Sequence, residues 1–318
     1  MRTVVVGAGL AGLVAAQQLA AAGHDVVVFD KGRSPGGRMA TRRIDGATVD
    51  HGAQFFTVRS ERFDEMVQPW LASGLVREWC RGFSPGGGDG YPRYAVTGGM
   101  TALPKHLAAG LDVRCNSFVF AVRRGESAGT WQVDLDDGSH VMADRLVVTC
   151  PLPQTFALLV SAEVEMPEAL WRTDYDRTLC LLAVLDRPSA VAEPGGLQGE
   201  PGFTFIADNQ RKGISTVPAL TLHADPEWSE AHWDDDPADA LDELEVLAAP
   251  YIGDAGVVAR QLKRWRFATP RSIWPDACWV ADGDGATGTL VCAGDAFAGP
   301  RVEGAVLSGL AAAAAVRV

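Results

Sequence analysis

Residues 3–30, TVVVGAGLAGLVAAQQLAAAGHDVVVFD, constrain the fold of this chain more than any other stretch. Val4, Val5 and Val6 form a β-branched run suited to a parallel strand buried on both faces. Gly7, Gly9 and Gly12 follow with G-x-G-x-x-G spacing, then an alanine-rich helix, then a second apolar strand that ends on Asp30. Gly7 permits the tight turn, Gly9 lets the backbone approach a pyrophosphate, and Gly12 allows close helix–strand packing. The amides at the helix start and the helix dipole favour a diphosphate there. Asp30 follows Gly12 by 18 residues, near the roughly 20 at which a carboxylate reaches a ribose diol. A lone G-x-G-x-x-G is weak, since glycines also gather in ordinary turns. The preceding strand, the helix and the acid together favour a dinucleotide site over a plain βαβ unit.

The 318 residues suffice for one large or two interleaved domains with a substantial core. Hydrophobic residues make up 47% and charged residues 21%, ordinary for a soluble globular enzyme. A net charge of −12 argues against nucleic acid and against an anionic membrane as partners, while leaving room for a local basic pocket. Cys80, Cys115, Cys150, Cys180, Cys278 and Cys292 include no C-x-x-C pair, so free thiols in a reducing compartment are expected rather than zinc or a disulfide scaffold. The first strand begins within about three residues of Met1, which leaves no room for a leader. The apolar run Gly304 to Val316 is shorter than the ~20 residues of a membrane span. A cytoplasmic location is the expectation. Asp282-Gly-Asp-Gly285 resembles the start of a calcium loop, but Ala293 stands where the bidentate glutamate belongs, so no metal is expected.

Hydrophobic patterning predicts strands at 112–124, 130–136, 140–149, 178–185, 203–207, 213–221 and 289–293, and helices at 9–22, 61–73, 100–109, 153–160, 237–250 and 303–316. Residues 84–90 and 193–202 read as loops. Asp234, Asp235 and Asp236 before Pro237 mark an acidic helix start, and Trp228 to Asp236 reads as a solvated loop edge with anchoring tryptophans.

Three further motifs carry chemistry. After Asp30, the run Lys31-Gly-Arg-Ser-Pro-Gly36-Gly37-Arg38-Met39-Ala40-Thr41-Arg42 fits a loop closing over the same diphosphate, with Arg38 or Arg42 neutralising it. In Asp50-His51-Gly52-Ala53-Gln54-Phe55-Phe56, Gly52 and Ala53 would let the backbone approach a flat ring, and Gln54 would present an amide to a heterocycle edge. His51 is a candidate general base, although a histidine without an evident partner is more often structural. Gly98 and Gly99 open a helix. In Leu290 to Ala305 an apolar strand runs into Gly294-Asp295, a loop and a long alanine-rich helix. Asp295 can bind a polyol hydroxyl, and the helix start near Glu303 can stabilise negative charge on an electron-accepting ring.

Together these residues resemble the two-dinucleotide-binding-domain flavoproteins of the amine oxidase superfamily, over residues 3–56, 95–107, 145–153 and 290–310. GGRMATRR, DHGAQFFTVR, the segment Lys263 to Pro270 and RVEGAVLSG resemble the renalase-like subgroup, particularly the bacterial renalases. The resemblance implies an α/β chain: a Rossmann-like FAD-binding domain from residues 1–58, 95–160 and 280–318, and an inserted α+β substrate domain with a mixed or antiparallel sheet from 59–94 and 161–279. It implies that Gly7, Ala8, Gly9 and Gly12 hold the FAD diphosphate, Asp30 the adenosine ribose and Arg38 the phosphates. Lys31, Gly37, Met39, Ala53 and Gln54 would line the cofactor. Val119 would meet the adenine through its backbone. Gly294 and Asp295 would hold the ribityl chain or diphosphate, and Val302, Glu303, Gly304 and Ala305 the isoalloxazine edge. The stretch GPRVEGA has no cysteine, so FAD is expected to be non-covalent.

Renalase-like proteins oxidise dihydropyridine isomers of NAD(P)H and pass the electrons to O2, giving NAD(P)+ and hydrogen peroxide. Such hydride transfer needs proximity and orientation more than a catalytic dyad. Tyr94, Phe203, Phe205, Trp265, Phe267, Trp274 and Trp279 are cage candidates, Tyr94, Trp265, Phe267 and Trp274 foremost, though aromatics also bury well as plain core. Arg59, Arg93, Arg264, Arg266 and Arg301 are candidates for an anionic substrate. Two other functions fit the same motifs. One is an amine oxidase or desaturase acting on a hydrophobic substrate. The other is a non-enzymatic carrier, against which the intact fingerprint, Asp30 and Gly294-Asp295 argue.

Overall fold

The computed structural model describes residues 1–83, 89–281 and 288–317. The chain forms two compact units. The first comprises Met1–Gly37, Leu103–Asp174 and Pro270–Val318, the second Arg38–Ala102 and Tyr175–Thr269.

The first unit is built on a six-stranded sheet. Its spatial order is Trp279–Val280, Leu290–Cys292, Arg145–Val148, Arg2–Val6, Asp25–Phe29, Asp112–Arg114, and every pair is parallel except the Trp279–Val280 edge. Counted along the chain, the five parallel strands lie in the order 3-2-1-4-5, the doubly wound arrangement whose ligand crevice lies at the carboxyl ends of the strands where the winding reverses. Here that switch falls between Arg2–Val6 and Arg145–Val148. Val4, Val5, Leu146, Val147 and Val291 are fully or almost fully buried, as a parallel sheet covered on both faces requires. The helices Leu10–Ala21 and Val302–Arg317 pack together, and a Cβ on Gly309 would collide with the backbone of Ala11, which explains the small residues at that crossing. An antiparallel sheet of Val119–Arg124, Trp131–Leu135 and His140–Ala143 completes this unit.

In the second unit a five-stranded sheet runs in the order Gly196–Glu200, Phe203–Asp208, Ala219–Ala224, Tyr175–Leu185, Val257–Pro270. The unbroken apolar run Leu179–Leu185 within the strand Tyr175–Leu185 is explained by burial of both its faces. Leu179, Leu181, Ala183 and Leu185 pack with Leu244, Ala248 and Ile252 of the helix Pro237–Ile252. Cys180, Leu182 and Val184 pack with Ile44, Ala47 and Val49 of the hairpin Thr41–Ile44/Ala47–Asp50.

Several sequence expectations are corrected. The hairpin's burial on Cys180, Leu182 and Val184 draws residues 38–58 into the second unit, so its seam lies at 37/38 rather than 58/59. Residues 161–174 and 270–279 fall in the first unit, where Trp279–Val280 pairs with Leu290–Cys292, and residues 95–102 fall in the second. The expected strand 112–124 is two strands in two sheets, separated by Asn116 at φ 51°. The expected strand 140–149 divides the same way at Asp144, and 213–221 narrows to Ala219–Ala224 because Ser215 holds the preceding turn through Val217. Trp228 lies in the helix Pro226–Ala231, capped by Asp225, and stacks on His232 rather than edging a loop. The calcium-like segment 282–285 and most of the 84–90 loop lie outside the described residues. Among the described residues no helix is long and apolar enough to cross a membrane.

Candidate functional site

The first unit gathers the fingerprint at its switch point. Gly7 has φ +107°, and a Cβ there would stand 2.6 Å from Thr149 Oγ1, so the turn tolerates only glycine. Thr149, which the sequence reading missed, ties the end of Arg145–Val148 to the fingerprint strand: its hydroxyl donates to Val6 O at 3.0 Å and Gly7 O at 3.2 Å. Asp30 accepts from Ala8 N and Gly32 N, both at 2.6 Å, which aligns the acid with the turn and leaves lone pairs on both oxygens. Gly36 N donates to Ala8 O at 2.9 Å, bringing the Gly36–Gly37 loop against the same turn. Asn116 N and Ser117 N donate to Gly32 O and Asp30 O, which brings the chain leading to Val119 beside the acid. Val119 itself is buried next to a register shift in its ladder. Gly294 N donates to Ser308 Oγ at 2.8 Å, so the C-terminal helix anchors its own motif. Asp295 opens a short helix, and Val302, Glu303 and Gly304 are buried at the start of the long one, with Ala305 half-buried.

Three observations test whether this unit fits a dinucleotide. The helix Leu10–Ala21 begins with no side-chain cap, so its first amides are open to an anion. A Cβ on Gly9 would meet nothing within 4 Å, consistent with a glycine kept for the approach of a ligand. Trp274, whose N–H donates to Ala296 O at 2.7 Å beside Asp295, has its indole Nε1 buried without a hydrogen-bond partner. A buried orphan donor in this place fits a polar ligand.

The second unit brings together a polar cluster that sequence spacing does not reveal. The Lys212 and Asp50 side chains are both 0% exposed, with Nζ 2.7 Å from Oδ2. Asp50 Oδ1 accepts from Thr41 Oγ1 at 2.5 Å and Met100 N at 2.8 Å. Asp50 N donates to Asn209 Oδ1, and Asp50 O accepts from Thr221 Oγ1. Burial pushes the Lys212 ammonium down, and Asp50 opposes that shift. In the sequence Lys212 sits in Gln-Arg-Lys-Gly, which looks like an ordinary polar turn. Gln54 is corrected: its Nε2 donates to Asp50 O at 2.7 Å and Gly52 O at 3.1 Å, and its Oε1 accepts from Lys212 at 3.3 Å, so its amide braces this cluster instead of facing a heterocycle.

His51 is held by its neighbours. Burial first, then Lys263, Arg42 and His223, push its imidazole down to about 3. Its ring stacks on Trp265 at 5.4 Å and 23°, Trp265 Nε1 donates to His51 O at 2.6 Å, and Nδ1 is buried without a partner. Burial likewise pushes His223 down to about 4.

The remaining candidates separate by unit. Arg38 donates to Phe267 O and Ala268 O and lies over Tyr175, which ties it to the second unit's own strands. Met39 and Ala53 brace it by backbone bonds to Thr101 and Arg38, whereas Lys31 and Gly37 are exposed in the first unit. Phe267 packs edge-on against Tyr175. Tyr94 stacks on Phe56. Phe203 is core against Tyr251, and Phe205 joins Phe55, Trp79 and Phe83. Trp279 forms an edge strand. Arg93 pairs with Asp89, Arg264 donates to Asp235 O, and Arg59, Arg266 and Arg301 are exposed.

A Rossmann-like nucleotide unit with an uncapped glycine cradle is joined in one chain to a unit built on a five-stranded sheet. The model of the flavin containing amine oxidoreductases matches residues 59–317, that of the NAD(P)-binding Rossmann-like domain residues 5–70, and the chain belongs to the flavin-containing amine oxidoreductases. Their cofactor is FAD, and the absence of cysteine from residues 299–305 fits non-covalent binding. Among solved structures, the cyclohexylamine oxidase of Brevibacterium oxydans shares the fold at a TM-score of 0.74 and 15% identity, with 99% of this chain and 98% of that one covered. Among curated relatives, a hydroxyneurosporene desaturase of Rubrivivax gelatinosus is 55% identical over 128 residues, 40% of this chain and 21% of its own. A 4,4'-diapophytoene desaturase of Staphylococcus haemolyticus is 52% identical over 52 residues, 16% and 10%. The matches thus span about a fifth or less of these relatives.

Proposed function

We propose that this chain is a renalase-like oxidase that takes a hydride from isomeric dihydronicotinamide dinucleotides and passes the electrons to O2, giving NAD(P)+ and hydrogen peroxide. Bound FAD supplies the hydride acceptor, at N5, and the route of both electrons to oxygen. On this reading the first unit binds the cofactor: Gly7, Ala8, Gly9 and Gly12 hold the diphosphate, Asp30 the ribose and Asp295 the polyol chain. The start of the helix Val302–Arg317 stabilises negative charge on the reduced ring. The second unit binds substrate, with Trp265 and the stacked His51 as a flat wall. A cytoplasmic setting keeps the cysteines as thiols.

The observation that carries the reading is the packing of the second unit's polar groups. His51 is stacked on Trp265, the His223 ring is bonded to His51 O, and Lys212 is ion-paired to Asp50, so each is held by its neighbours. A dihydropyridine donates hydride without prior deprotonation, so orientation and exclusion of water suffice. An amine arrives mostly as an ammonium ion, whose approach the cations Arg42 and Lys263 facing His51 oppose. The amine oxidase and desaturase relatives support the second reading, oxidation of an amine or a polyene.

The test is turnover in air with the 2- and 6-dihydro isomers of NAD and NADP. Equimolar NAD(P)+ and peroxide are expected. Turnover only with amines or polyenes would establish the second reading.

A further inference from the structure

Gln261, Lys263 and Trp265 lie at alternate positions of the strand Val257–Pro270 and therefore share one face. That face meets the hairpin Thr41–Ile44/Ala47–Asp50 and the residue after it. Arg42 Nη1 donates to Gln261 Oε1 at 2.7 Å. Trp265 holds His51 by its indole N–H and by stacking. Lys263 Nζ lies 4.9 Å from the Trp265 ring centroid. All of these groups belong to the second unit.

Two features of this face are unresolved by the protein itself. Arg42 and Lys263 stand near each other, both half-buried, and among the described residues neither forms a salt bridge with a carboxylate. In a chain with 40 acidic and 28 basic residues, two neighbouring cations without an acid are against the trend. Their repulsion adds to burial in pushing the Lys263 ammonium down. The second feature is His51, 6% exposed, whose Nδ1 is buried with no hydrogen-bond partner. A buried polar atom left unpaired costs about 1–3 kcal/mol unless something satisfies it. One ligand chemistry resolves both features at once. An anion neutralises the cation pair and accepts a hydrogen bond from Nδ1–H, while a cation or an apolar group would worsen one or both.

We propose that Arg42, Lys263 and His51 form a phosphoryl subsite, and that the group it takes is the pyrophosphate of the substrate dinucleotide. The identity of the donor rests on the function proposed above; the anion preference does not. Arg42 offers further guanidinium donors in a planar fork, Lys263 a compact charge, and His51 a fixed N–H, with Trp265 as the apolar wall beside them. A dinucleotide brings two negative charges to two cations. A phosphate-free dihydronicotinamide brings none.

The experiment uses the FAD-loaded protein, in which the cofactor already fills the glycine cradle, and inorganic pyrophosphate as the probe. Calorimetry gives its affinity. Anaerobic flavin reduction gives the ratio of efficiencies for a dihydro-NAD isomer against the matching N-methyl dihydronicotinamide. In the parent protein, pyrophosphate is expected to bind and to compete with the dinucleotide. Lys263→Gln and Arg42→Gln are each expected to weaken pyrophosphate at least tenfold and to lower the efficiency ratio at least tenfold, with Lys263→Arg restoring most of both. Should Arg42→Gln fail to fold through loss of the Gln261 bond, Lys263→Gln decides alone. Pyrophosphate that does not bind the parent, or that binds Lys263→Gln as tightly, overturns the subsite even if dihydro isomers reduce the flavin. Pyrophosphate binding that depends on Lys263 and Arg42, without reduction by any dihydro isomer, leaves the subsite standing and overturns the proposed donor.

Discussion

The glycine cradle of the first unit and the Asp50–Lys212 cluster of the second are made from opposite materials. The cradle is backbone: open amides at a helix start, carbonyls and amides bridged by Asp30 and Thr149, and glycines where a side chain would collide or intrude. The cluster is side chain: a lysine, an aspartate, a glutamine, an asparagine and two threonines, drawn from segments more than 150 residues apart. A backbone site is rigid because secondary structure already fixes its atoms, and it recognises what all dinucleotides share. A side-chain site must first satisfy its own buried charges, and its shape then depends on every partner being present.

That contrast is most easily broken at Asp50. Asp50→Ala leaves the Lys212 ammonium buried and unpaired, and is expected to lower stability by about 3–5 kcal/mol, read as a lower denaturation midpoint with an unchanged m-value. A loss below 1 kcal/mol would mean that the cluster opens to water.

Acid should act on the second unit next. His51 and His223 have folded values of about 3 and about 4 against an ordinary value of 6.5. Between those limits the unfolded chain binds more protons than the folded one, so stability rises with pH and is lost as pH falls below about 6.5. At pH 5 each histidine is expected to contribute roughly 2 kcal/mol of that loss. In thermal melts from pH 7 to 5, His51→Gln should show a visibly shallower decline than the parent, and an identical decline would remove His51 from the effect.

The smallest of these effects belongs to the cradle. Asp295→Ala is expected to weaken FAD about tenfold, roughly 1.4 kcal/mol, with the fold intact, because the diphosphate remains held by backbone. Flavin retention on gel filtration and far-ultraviolet circular dichroism check both halves. Unchanged retention would remove Asp295 from the cofactor site.

The same contrast explains what the sequence could tell. Gly7, Gly9, Gly12 and Asp30 are legible because a backbone cradle demands particular residues at fixed local spacing. The strand Tyr175–Leu185 is legible from its apolar run Leu179–Leu185, since both faces of that run are buried. The seam at residue 37 was not legible, because the hairpin after it is short and its allegiance depends on Cys180, Leu182 and Val184 far along the chain. Lys212 is hidden for a similar reason: a charged residue in a polar turn reads as solvated until its partner is known. Gln54 reads from the sequence as an outward amide, whereas Lys212, distant in sequence, and Asp50 turn it inward, and Trp265 stacks on His51.

The most direct measurement is a single anaerobic turnover: the yellow purified protein is mixed in separate shots with a 2- or 6-dihydro isomer of NAD, with ordinary NADH and with cyclohexylamine, while the oxidised-flavin band is followed. Rapid bleaching by a 2- or 6-dihydro isomer alone, reversed by air with peroxide formation, is the expected result. Bleaching by the amine, with none by either isomer beyond that given by NADH, would contradict the renalase-like reading and return the second unit to the amine oxidases.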